Sequence, residues 1–413
     1  MIKRYPCGTI ARREFLTSAA ASTLPLLVGT QVSAAMKDEP KAAAKKTGKP
    51  VLGDGSLGLP GPYPGRVVEV RNKAMIKDGV KNREAIKASL ARAMKELTGS
   101  DEAVDAWKTF VEPGDVVGIK VVPNGFPNVH TSFELVLEVI AALEAAGLKK
   151  RDMIVFDRYK SEFMSAGYHK IVPDGVLWGG ETSVDDGSQL LTSFPGNDPV
   201  AGYDPDEFME MNLVHRGHDP KDDRNYRSHL GLVVTRRVNK LILLPVVKDH
   251  GSAGVTGCLK NMSHGLVNNV ARSHSSPDTN VCNQFIPQVV DHPIIRKKCV
   301  LQIMDGIRAV YQGGPFGYAN NKHWSWERNS LFCATDPVAL DRIEWGIIDA
   351  KRKEMGLPPV GSVGKLGLDS EREGFDMRQP QHIGLAGNLG LGIYDLKSPL
   401  GRRHSIDHRV VEI

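Results

Sequence analysis

The chain has 413 residues, 41% of them hydrophobic and 24% charged, enough for one large domain or two lobes. Its net charge of +5 falls to +2 once the first 34 residues are set aside, so the body of the protein offers no electrostatic case for nucleic acid. Five cysteines without CxxC spacing argue against an iron–sulfur cluster and against a structural zinc site.

Residues 1–34 read as a twin-arginine signal peptide. Arg12 and Arg13 stand directly before Glu14, Phe15 and Leu16, a run of small apolar residues follows, and Val32-Ser33-Ala34 offers a cleavage site. The run is too rich in Ser, Thr, Ala and Gly, with Pro25 in its middle, to make a stable transmembrane anchor. The expected partner during export is the twin-arginine translocase, and the expected location is periplasmic or otherwise extracytoplasmic. Residues 35–62 are rich in Lys, Pro and Gly and read as a flexible linker to a domain over residues 63–413. Cys7 leaves with the signal. Cys258, Cys282, Cys299 and Cys333 read as small buried hydrophobes, in a compartment that also permits a disulfide.

From residue 63 onward, β-branched runs alternate with helical stretches. Residues 116–122 (VVGIKVV) predict a strand, and residues 133–146 carry apolar side chains at helical spacing until Gly147. Residues 153–156 predict another short strand. Residues 172–230, frequent in Pro, Gly and Asp and weak in periodicity, read as a loop-rich insertion over one end of the sheet. Residues 241–247 (LILLPVV) are continuously apolar, as a strand buried on both faces must be. Residues 300–304 and 331–334 follow as strands. Residues 336–350 predict a helix with Thr335 as N-cap and Pro337 in the first turn. Beyond about residue 352 the chain is loop-rich, with one strand expected near residues 383–386. The alternation predicts an α/β fold, a mostly parallel, Rossmann-like sheet covered by helices, with its core at residues 115–350.

Such sheets bind ligands outside the carboxyl ends of their strands. Polar residues follow five of the predicted strands there: Asn124 (with Lys120 inside the strand before it), Asp157, the run Lys248, Asp249 and His250, then Asp305 and Asp336. The densest stretch is residues 248–265 (KDHGSAGVTGCLKNMSHG). Gly251, Gly254 and Gly257 permit a tight turn whose N–H groups point at an anion, with a hydroxyl from Thr256, a charge from Lys260 and an amide from Asn261. The pattern is neither a P-loop nor GxGxxG, and an ordinary glycine-rich turn is the competing reading. His250 and His264 are expected to transfer protons or to bind metal. Asp305 and Asp336 would share a divalent cation with His250 or work as an acid–base pair, although Asp336 also suits helix capping, and Asp341 reads as solvated. The expected catalytic set is therefore His250, Lys248, Asp305 and Asp336. The expected ligand set is Lys120, Asn124, Gly254, Thr256, Gly257, Lys260, Asn261 and His264. Aromatic residues at 311–326, among them Tyr311, Phe316, Tyr318, Trp324 and Trp326, suggest a lid, a recognition surface, or packing onto the domain.

The stretches IKVVPN (119–124), KDH…GVTGCLKN (248–261), IMDGIRA (303–309) and ATDPVALD (334–341) together resemble the motifs of the domain of unknown function 362 family, over roughly residues 115–350. Members often carry iron–sulfur segments or twin-arginine signals. This chain has the signal and lacks the clusters, which speaks against electron transfer. The resemblance implies that the residues above belong to a family pattern and supplies no reaction. A His followed by a Gly/Thr-rich turn and a Lys, here His250 to Lys260, is also similar to a stretch in the nickel-pincer lactate racemase family, where histidines serve 2-hydroxy acid chemistry beside cofactor phosphates. The expected function is an exported enzyme that takes an anionic carboxylate or phosphate compound and works by His/Asp acid–base or metal-assisted chemistry, of isomerase or racemase type. A non-catalytic extracytoplasmic binding protein is the alternative.

Overall fold

A computed structural model of the protein describes residues 57–182, 202–215, 217–274, 281–315, 324–360 and 380–413. The expected signal with Arg12, Arg13 and Cys7, residues 35–56 of the linker, part of the 172–230 insertion, and Phe316 and Tyr318 lie outside the described residues.

The strands of the main sheet are β1 (Arg66–Arg71), β2 (Val117–Lys120), β3 (Met153–Tyr159), β4 (Leu177–Thr182), β5 (Lys240–Leu243), β6 (Val246–His250), β7 (Cys299–Val310), β8 (Ser325–Ala334) and β9 (Asp407–Glu412). Their order is β9-β1-β8-β7-β5-β2-β3-β4, with β6 alongside the later part of β7 and the two-residue strand Gly254–Val255 paired to β6. All the pairings among β7, β5, β2, β3 and β4 are parallel. β8 runs antiparallel to both of its neighbours, β1 and β7. The sheet is thus mostly parallel, as the alternating pattern predicts.

Helices cover both faces. α1 (Arg83–Thr98) and α2 (Phe133–Ala145) bury Leu90 and Val136 in one apolar cluster. On the other face α4 (Gly257–His264), α5 (Cys282–Val290), α6 (Pro337–Glu354) and α7 (Gln381–Asn388) bury Met262, Phe285, Leu340 and Ile383 in a second. The short helix α3 (Lys160–Ala166) follows β3 and ends at Gly167, whose φ of 90° is the left-handed conformation glycine adopts at no steric cost. Residues of β2 and β6 are buried throughout, which is why their sequences lack the alternation of a half-exposed strand. Among the described residues no helix is long and apolar enough to cross a membrane. Their four cysteines are buried and form no disulfide.

Five local expectations are corrected. The apolar run 241–247 is two strands rather than one. Pro245 has no N–H for a ladder, and the chain breaks there: Leu243 pairs with Gln302, whereas Val246 pairs with Asp305 and Lys248 with Val310. Residues 383–386 are helical, and Ile383 and Ala386, three apart, share the buried face of α7. The 172–230 stretch is more than loops. It supplies edge strand β4 and the antiparallel pair Tyr203–Glu210 and Arg227–Gly231. The N-cap of α6 is Asp336, whose carboxylate accepts from the Ala339 N–H at 2.9 Å, and not Thr335. Finally, β8 is antiparallel, so its carboxyl end at Ala334 lies opposite Gln302, on the far rim from the carboxyl ends of β2, β3 and β6.

Candidate functional site

At the carboxyl ends of β2, β3 and β6, closed on one side by α4, lies a cleft of about 380 Å³. Lys120, Asn124, Lys248, His250, Thr256, Lys260, Asn261 and His264 all line it, so most of the predicted residues do converge. The parallel register is the cause, since Lys120 lies beside Phe156 on one side and Leu243 on the other, and the residues that follow each strand emerge on one rim.

The charges there are unequal. Lys120 is buried and donates to Asp157 at 2.6 Å and to the Val121 carbonyl at 3.0 Å. Lys248 is fully buried, and its ammonium donates to the side-chain and backbone oxygens of Asn124. Burial pulls the Lys248 pKa down to about 7, opposed by the Glu162 carboxylate and helped by the positive charges of Lys120 and Lys260. Lys260 lies with its Nζ 3.4 Å from Nε2 of His274, and burial beside Arg158 and Lys120 lowers its pKa to about 8. Arg158 donates to the His264 carbonyl at 2.8 Å and stacks over the Tyr159 ring. Glu162, on the first turn of α3, faces the same space, and burial near Asp157 raises its pKa to about 7. Among the described residues no carboxylate forms an ion pair with Lys248 or Lys260. Two buried ammonium groups left in this state are costly, and an incoming anion relieves that cost.

The histidines are placed differently from the expectation. Nδ1 of His250 accepts from the backbone N–H groups of Ser252 at 3.0 Å and Ala253 at 3.2 Å. A neutral His250 therefore carries its proton on Nε2 and acts as a hydrogen-bond donor. Protonating Nδ1 would break both backbone bonds, so the geometry favours the neutral ring. His264 is held between Ser263 Oγ at 3.0 Å and Ser273 Oγ at 2.9 Å, and burial together with Lys260 keeps its pKa well below the usual histidine range.

Four further expectations are corrected. Gly257 and Gly254, at φ of 50° and 80°, do shape a tight turn, but neither lines the cleft. The helix N-terminus they open toward is occupied by the protein's own carboxylate: Asp341 accepts from the N–H groups of Cys258 at 2.6 Å and Leu259 at 2.9 Å. Asp341 is thus fully buried, not solvated, and the expected anion cradle is filled from within. Asp305 accepts from the N–H groups of Ser132 at 2.7 Å and Ile307 at 2.9 Å and does not line the cleft. Asp336 sits on the far rim because β8 is antiparallel, where it accepts from Gly65 and Ile393 N–H, each at 2.8 Å, as well as capping α6. His250, Asp305 and Asp336 therefore form no common metal site. The donors that do come together among the described residues are His264, His274 and Cys282.

Arg158, Glu162, Ser252 and His274 line the cleft without having been singled out from sequence. Arg158 and Glu162 follow Asp157 directly in the run DRYKSE, where the strand-end rule that flagged Asp157 also applies. His274, in RSHSS, carries no such signal. From the aromatic loop, Gly314 and Pro315 reach the cleft, and Gly314 N–H donates to Asp249 at 2.7 Å. Tyr311 and Trp326 pack against each other instead, with ring centroids 6.0 Å apart.

Residues 231–345 match the family described as domain of unknown function (DUF362), a segment that contains β5 to β8, α4, α5 and the first half of α6. A comparison with the curated proteins finds no match. Two solved structures are similar in part. One is the crystal structure of a protein from Thermotoga maritima, 10% identical, covering 66% of this chain and 59% of that one, with a TM-score of 0.37. The other is the lactate racemase apoprotein from Thermoanaerobacterium thermosaccharolyticum, 9% identical, covering 65% of this chain and 54% of that one, with a TM-score of 0.34. The chain thus spans less than two thirds of the length of either structure.

Proposed function

We propose that this protein is an enzyme that binds a small carboxylate or phosphate compound in the β2–β3–β6 cleft and transfers a proton there. The observation that carries the reading is the pair of buried amino groups, Lys248 and Lys260, lining one cleft with no carboxylate in ion-pair contact among the described residues. An anion between Lys260 and Lys248 would take charge-assisted hydrogen bonds from both, with Arg158 nearby. His250 would add a neutral Nε2–H donor. Glu162 replaces the expected His/Asp pair as the proton-transfer group, because burial raises its pKa to about 7, where a carboxyl exchanges protons at neutral pH.

Calorimetric titration with inorganic phosphate and with lactate tests the binding. At least one should bind to the unmodified protein, and Lys260→Gln should weaken it by tenfold or more, since a charge-assisted hydrogen bond contributes about 1.5–3 kcal/mol. Unchanged affinity in Lys260→Gln removes the basis of the proposal. Glu162→Gln separates an enzyme from a binding protein: binding that persists without proton exchange into the bound compound, in the unmodified protein as in the variant, identifies a binder.

Export by the twin-arginine route belongs to the same proposal and rests on Arg12 and Arg13 ahead of the small-residue run. Replacing both arginines by lysine should shift the protein from the extracytoplasmic to the cytoplasmic fraction of a bacterial host. An unchanged distribution argues against that route.

A further inference from the structure

On the α4 side of the cleft, two imidazoles and a thiol stand close together. His264 ends α4, Cys282 begins α5, and His274 follows the short turn Ala271–Ser273 that runs between them. One ligand atom from each lies within 4.8 Å of the other two, and Nε2 of His264 is 3.9 Å from Sγ of Cys282. In a tetrahedral zinc site, metal–nitrogen bonds of about 2.1 Å and metal–sulfur bonds of about 2.3 Å put neighbouring donors about 3.4–3.6 Å apart. The group is thus looser than a loaded site by at most about 1.4 Å, a distance that side-chain rotation covers.

We infer that His264, His274 and Cys282 bind one divalent transition-metal ion of the zinc type, with a fourth position open toward the cleft. Two imidazoles and one thiolate favour a borderline-soft ion over magnesium or calcium, which take oxygen donors. Supporting groups already orient the ligands. Ser263 Oγ lies 3.0 Å from Nδ1 of His264 and gives its own proton to the Lys260 carbonyl, so it can accept from Nδ1–H in the loaded site. Ser273 Oγ, which gives its proton to the Val270 carbonyl, faces Nε2 in the same way, and the metal takes its place there. His274 is likewise hydrogen-bonded to the Val270 backbone. Loading displaces the contacts of His264 Nε2 and Cys282 Sγ with Ser273 Oγ and the contact of His274 with Lys260 Nζ. The Cys282 thiol loses its proton to solvent on binding, so metal uptake releases one proton.

Lys260 sets the character of the fourth ligand. A divalent ion with one thiolate keeps one positive charge, close to a lysine 3.4 Å from His274. An anion bound to the metal and to Lys260 balances both. This last step rests on the anion-binding reading above, whereas the metal site itself does not.

Cobalt(II) added to the purified, metal-free protein is the direct probe. One equivalent should bind with the intense visible bands of a four-coordinate ion and a thiolate-to-cobalt charge-transfer band in the near ultraviolet. Cys282→Ser should abolish the charge-transfer band, and His264→Gln should weaken binding at least tenfold, with circular dichroism confirming that both variants fold. The unmodified protein alone suffices to overturn the inference: saturation without the charge-transfer band, or no saturable binding, shows that Cys282 is not a ligand. Adding sulfate to the cobalt form should then shift the visible bands. If the bands stay fixed while calorimetry on metal-free protein shows sulfate binding, the bridging step fails and the anion site stands. If sulfate binds neither form, the anion reading fails and the metal site is judged by its charge-transfer band.

Discussion

Gly257→Ala should destabilise the protein by about 3 kcal/mol or more, whereas Gly251→Ala, six residues earlier in the same turn, should be close to neutral. A Cβ on Gly257 would lie 2.3 Å from the Asp341 carboxylate, and φ at this position is +50°. The left-handed backbone alone costs an L-residue about 1–2 kcal/mol. The contact is worse, because the carboxylate has nowhere to go: it is buried and holds the N–H groups of Cys258 and Leu259. Driving it aside leaves two buried donors unsatisfied at about 1–3 kcal/mol each, and the structure will relax to recover part of that. Gly251 has no left-handed φ, and an added Cβ would meet nothing nearer than the Gly314 carbonyl at 4.0 Å. Urea denaturation of both variants measures the difference. Equal stability of the two would mean that Asp341 does not hold the start of α4.

That contrast also shows what could and could not be read from the chain. Strands β2, β3, β5 and β7 announce themselves as apolar runs, and their parallel pairing, with β6 continuing beside β7, gathers Lys120, Asn124 and Lys248 on one rim, to which α4 adds Lys260. The residues that escaped are those whose role depends on a partner far along the chain. Asp341 is 83 residues from Cys258, and nothing in either local sequence says that one binds the other. Asp336 follows a strand as Asp157 does, and strand direction, which no local pattern encodes, sends them to opposite ends of the sheet. His250 lies in the cleft as expected, but its tautomer is decided by two backbone N–H groups that the turn folds back onto it, which no local pattern encodes. The family match over residues 231–345 covers the α4 segment and stops short of β2 and β3, which bring Lys120, Asp157 and Arg158 to the cleft.

The affinity for sulfate should fall at least tenfold between about pH 6.5 and about pH 9 in the unmodified protein. Sulfate keeps its charge over this range, so the change belongs to the cleft. Lys248 and Lys260 have their pKa values lowered to about 7 and about 8, with burial the main cause for both. A cation with a depressed pKa loses its charge as the pH rises through that value, so attraction for the anion is full on the acid side and fades above neutrality. Glu162 acts in the same direction, since it gains negative charge as the pH passes about 7. Arg158 and the Lys120–Asp157 pair also face this space, and Cys282 and His274 border Lys260 from the α5 side. Binding in turn favours the ammonium forms, so sulfate association near pH 8 should take up protons, measurable as a dependence of the calorimetric heat on buffer ionisation enthalpy. Lys260→Gln should flatten the upper part of the profile while leaving the part due to Lys248 and Glu162. A profile that is flat in the unmodified protein, with no proton uptake, would place the sulfate on groups other than these two lysines.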